Sequence, residues 1–69
     1  MNSARGEIYL EFISVGRQVK VVAIDAATGI EVSIFGPLTA SQAELQRIAV
    51  AKLKRRIAME KPGPASRGN

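Results

Sequence analysis

The stretch from Gln18 to Phe35, QVKVVAIDAATGIEVSIF, decides the fold. Its first part, Gln18–Asp25, is β-branched and mostly apolar, the composition of a central strand. Asp25-Ala26-Ala27-Thr28-Gly29 then interrupts it with a hairpin loop that has its own mechanism. Asp25 can bond the backbone amides ahead of it, and Gly29 accepts a positive φ that strains other residues. From Ile30 to Phe35 the alternation resumes, with Ile30, Val32 and Ile34 on one face and Glu31, Ser33 and Phe35 on the other. This is an antiparallel hairpin, and Gly36-Pro37 is expected to end its second strand.

Outward from the hairpin, the N-terminal side adds a strand. In Glu7–Ser14 (EIYLEFIS), Ile8, Leu10 and Phe12 alternate with Glu7, Tyr9 and Glu11, the period of a half-buried strand. Gly16-Arg17 offers the turn into Gln18. The C-terminal side adds a helix. Ser41-Gln42-Ala43-Glu44 fits a capping box, in which Ser41 bonds the Glu44 amide and Glu44 reaches back to Ser41. Neither Gly nor Pro follows until Pro62. Leu45, Ile48, Ala49, Leu53 and Ile57 recur at spacings of three and four, one stripe for the sheet, flanked by Val50 and Met59. The expected fold is α+β: a three-stranded antiparallel β-meander packed on one face by a C-terminal α-helix, βββα. One domain at 7–61 is expected, between a polar tail at 1–6 and a Pro/Gly tail at 62–69.

Composition narrows the chemistry. The chain has 69 residues, 46% of them hydrophobic, with net charge +4 and neither Cys nor His. That length allows one small domain. Without Cys or His, the usual zinc, haem and iron–sulfur ligands are missing, as are Ser–His and Cys–His nucleophile pairs. The six carboxylates are scattered. The glycines form no phosphate-binding loop. No cofactor and no catalytic residue is read, and the chain is expected not to be an enzyme. No apolar run reaches the roughly 18 residues of a membrane span, and Glu7 and Glu11 interrupt the first apolar segment, so a cytoplasmic setting is expected.

One helix covers one face of three strands, so the other face needs an explanation. If Val19 and Val21 point at the helix, with Lys20 at the rim, the opposite face carries Tyr9, Ile13, Val22, Ile24 and Phe35. An apolar patch of that extent on so small a chain marks an interface. Two sheets back to back, or edge strands joined across a two-fold axis, would each bury more apolar surface. The expected partner is a second copy or another protein.

The alternative function lies on the helix. Arg47, Lys52, Lys54, Arg55 and Arg56 form a basic stretch able to pair with nucleic-acid phosphates. Against it stand the helix macrodipole, which favours cations near the C-terminal end, and the spread of these residues around the helix.

Taken in order, GEIYLEF (residues 6–12), VKVVAIDAATGIEVSIFGP (19–37) and LQRIAVAKLKRRI (45–57) resemble a family of short alphaproteobacterial proteins with no established activity. The resemblance covers nearly all of the part expected to fold. It implies this fold and a bacterial cytoplasmic setting, and carries over no catalytic residue.

Overall fold

The structure, a computed structural model, describes residues 7–60. The tails expected at 1–6 and 62–69, and Lys61, lie outside the described residues. The elements run β1 (Ile8–Val15), β2 (Gln18–Asp25), β3 (Glu31–Pro37) and α1 (Gln42–Glu60). The sheet has strand order β1-β2-β3 with both pairings antiparallel, followed by the helix, an α+β βββα arrangement.

Turn chemistry sets the register. Val15 pairs with Gln18, leaving only Gly16 and Arg17 in the first turn. Gly16 has φ 61°, while no described non-glycine residue has a positive φ. A positive φ at the first turn position alone defines a II′ turn, whose twist matches that of the strands it joins. The second hairpin closes on itself. The Asp25 amide donates to the Ile30 carbonyl at 2.9 Å, and the Gly29 amide, at φ 78°, donates to the Asp25 carbonyl at 2.7 Å. The buried Asp25 carboxylate accepts from the Thr28 amide at 3.0 Å and the Thr28 hydroxyl at 2.7 Å. The Thr28 hydroxyl oxygen in turn accepts from the Ile30 amide at 3.1 Å.

The core is thin. Val21, Ala23 and Val32 from the sheet meet Leu45, Ala49 and Leu53 from the helix. Ile8, Leu10, Phe12, Val19, Ile34 and Ile57 pack around that cluster, partly buried. The odd residues of β2 therefore face the helix, the parity expected from the sequence.

Three local expectations are corrected. The third strand begins at Glu31 rather than Ile30, and runs through Gly36 and Pro37 instead of ending before them. Proline is tolerated there because β3 is an edge strand and the missing N–H lies on the unpaired side. Gly36 fits because it lies against the helix, where a Cβ would overlap the Leu45 side chain. On the helix, Ile48 is 44% exposed and does not join the buried stripe. A helix seated over β2 and β3 has a narrow floor, and Leu45, Ala49 and Leu53 fill it. At the helix start, the Glu44 amide donates to the Ser41 hydroxyl at 3.0 Å as expected, but the Glu44 carboxylate turns forward to within 3.9 Å of Arg47.

Candidate functional site: the open sheet face

The pairing register assigns every strand residue to a face. Away from the helix, the rows across the sheet are Tyr9–Ile24–Glu31, Glu11–Val22–Ser33, Ile13–Lys20–Phe35 and Val15–Gln18–Pro37. Tyr9, Ile13, Val22, Ile24 and Phe35 therefore share one face. Their exposures differ. Tyr9 is 57% exposed and Phe35 54%, both at strands flanking the centre, whereas Val22 is only 7% exposed. Val22 sits mid-sheet with Glu11, Ser33, Lys20 and Ile24 around it, so its role is support rather than contact.

Two features of this face escaped the sequence reading. Val15 extends the apolar surface at 46% exposure; its odd position along the first strand was the available signal. Lys20 does not lie at the rim. It is half-buried in the row between Ile13 and Phe35, where its stem can cover apolar neighbours while its ammonium reaches water.

Charge on the face is segregated along the strands. Glu11 and Glu31 lie toward the Asp25 hairpin, and Lys20 lies toward the Gly16 turn. Beside Tyr9, the Glu7 carboxylate accepts the phenol hydrogen at 2.9 Å. That bond, helped by the negative charge, holds the Tyr9 pKa above its ordinary value because ionisation would lose the donor and set two anions side by side.

Of the five basic helix residues, Arg47, Lys52, Arg55 and Arg56 border one shallow hollow on a flank of the helix, and Lys54 does not. At 100° per residue, Arg47 and Lys54 point about 160° and about 140° away from Ala49, on the side opposite the sheet. Lys52 leans down to the sheet edge, its Nζ donating to the Ser33 carbonyl at 2.8 Å. Arg56 lies 3.9 Å from Glu60 on its own helix. Arg55 lies on the exposed flank with Ile48 and Met59.

Among the described residues no group of three or more carboxylates, His or Cys stands close enough to hold a metal ion. No described helix is long and apolar enough to cross a membrane. What remains is a small βββα domain with one covered face and one uncovered face. It belongs to a family described as a domain of unknown function, DUF6898, whose model matches residues 5–60. No curated protein and no solved structure matches the chain.

Proposed function

We propose that this chain is a non-catalytic interaction domain that takes a second copy or another protein on its open sheet face. Tyr9, Ile13, Ile24 and Phe35 make the contact, with Val22 as support beneath them. One observation carries this reading: the largest exposed aromatic side chains, Tyr9 and Phe35, lie on the face the helix leaves uncovered. Exposed aromatic residues grouped on an apolar face are the composition of interface centres. A cytoplasmic setting in an alphaproteobacterial cell completes the reading, on the resemblance noted in the sequence.

The nucleic-acid reading needs several free cations on one surface. Arg47, Lys52, Arg55 and Arg56 share a flank, but Lys52 is engaged by the Ser33 carbonyl and Arg47 and Arg56 stand beside Glu44 and Glu60, which weighs against it. The test places a photo-crosslinking phenylalanine analogue at Phe35 in living cells, with Lys54 as the control position. A covalent adduct at position 35 and none at 54 is the expected result. Adduct mass separates a second copy from another protein. Absence of an adduct at 35, or equal labelling at both positions, refutes the reading.

A further inference from the structure

The two edges of the sheet are not alike. In β1, the II′ turn makes Val15 and Gln18 a hydrogen-bonded pair, so Tyr9, Glu11, Ile13 and Val15 exchange bonds with β2. Ile8, Leu10, Phe12 and Ser14 consequently aim their N–H and C=O groups away from the sheet. On β3 the same alternation turns Glu31, Ser33, Phe35 and Pro37 outward. The Lys52 contact with the Ser33 carbonyl agrees with that assignment.

The β3 edge is guarded. Lys52 occupies one outward carbonyl, and Pro37 presents no N–H. Lysine and proline are standard devices against strand-to-strand association. The β1 edge carries neither. Its stretch IYLEFISV has no Pro and no Lys, and Glu11 is its single charge. The helix packs on β2 and β3, so Ile8, Leu10 and Phe12 are left partly exposed beside that edge.

We propose that two copies pair antiparallel along β1, making one six-stranded sheet across a two-fold axis. The register follows from charge. The pairing with the most bonds, about eight, sets Leu10 against Phe12 of the second copy, but it places Glu11 directly against Glu11 in a close, non-hydrogen-bonded site. Sliding the strands so that Phe12 faces Phe12 of the second copy keeps about six bonds. It sets Glu11 against Ile13, sets Tyr9 against Val15, and brings Glu7 to the Arg17 turn of the second copy.

This pairing does not rest on the docking proposed above, yet it would enlarge that surface. With strands about 4.8 Å apart and rising about 3.3 Å per residue, one open face measures only about 380 Å². Two joined side by side reach about 760 Å², close to the roughly 800 Å² per partner of a standard interface.

Amide hydrogen exchange by NMR, with solution mass from sedimentation, tests the pairing on the unaltered protein. The amides of Leu10, Phe12 and Ser14 should slow up to about tenfold as concentration rises about a hundredfold, the square-root dependence of free monomer in a dimer equilibrium. Those of Glu31 and Phe35 should stay fast, and the mass should move toward twice 7.4 kDa. Ser14→Pro deletes one outward N–H while sparing the β1–β2 ladder, and should return the mass to that of one chain; Ser14→Ala should not. Fast exchange at every concentration overturns the proposal. So does protection in a particle of single-chain mass, which would mean that the chain covers its own edge. Slowing at Glu31 and Phe35 instead would assign the contact to the other edge. Phe35→Ser should leave the β1 signature intact, so failure of the face reading and failure of this one are distinguishable.

Discussion

Gly36→Ala is the most informative single change in the core. Gly36 lies on the helix side of β3, paired with Val19, and a Cβ there would overlap the Leu45 side chain. Leu45 is 5% exposed, and its amide donates to the Ser41 carbonyl at 3.1 Å in the first helical turn. The backbone on both sides is therefore held, and relief has to come from the Leu45 side chain. A shallow groove between Phe12, Val19 and Leu38 gives its methyls some room. Overpacking of this kind costs about 1–3 kcal/mol, while replacing Gly by Ala returns about 0.4–1 kcal/mol through the unfolded chain. The net loss should be at most about 2.6 kcal/mol, against a total of roughly 3–8 kcal/mol for a domain of this size. Leu45→Ala alone should cost about 2–5 kcal/mol, chiefly through the cavity it leaves. In the double variant the methyl added in place of Gly36 enters that cavity, so the two losses should fall short of additivity by at least about 1 kcal/mol. Urea denaturation followed by far-ultraviolet circular dichroism measures all three. Additivity within about 0.5 kcal/mol would refute the argument that Gly36 is there for close approach.

Two other predictions follow from hydrogen bonds. Asp25→Ala removes the acceptor of both Thr28 bonds from a buried loop and should cost about 1–3 kcal/mol in the same assay, whereas Asp25→Asn, which keeps a carbonyl oxygen, should recover most of that loss. Tyr9 is the single tyrosine in a chain without tryptophan, so its ionisation can be followed directly by ultraviolet absorbance. Its midpoint should lie above that of a free tyrosine, and Glu7→Gln should lower it by removing the neighbouring anion; an unchanged midpoint would mean that the Glu7 contact does not persist in solution.

Legibility in the sequence followed the range of each interaction. The Asp25–Gly29 loop was readable because its bonds run between residues at most five apart, each a type with a specific turn role. The parity of β2 was readable because Lys20 marks the face opposite Val19 and Val21. Gly36-Pro37 was misread as a stop because the usual penalty for these residues assumes a central strand. Only the tertiary structure shows that Pro37 lies on an edge and Gly36 beneath Leu45. Ile48 was misread because helical spacing gives the direction of an apolar stripe but not the width of the surface beneath it. The Lys52–Ser33 contact spans 19 residues and joins a helix side chain to a strand carbonyl, so no local pattern announces it.

That contact also couples two properties that are usually separate. A sheet with both edges open has a valence of two and can add copies without limit, whereas one with a single open edge stops when that edge is filled. Here the occupied valence depends on the helix being seated, since Lys52 reaches Ser33 only from the docked position. Loosening the helix therefore removes the cover of the core and one of the two guards of the β3 edge in the same event, leaving Pro37 as the other. On the proposed pairing along β1, a fluctuation that elsewhere would merely expose apolar surface would here also weaken the stop that holds the assembly at two copies.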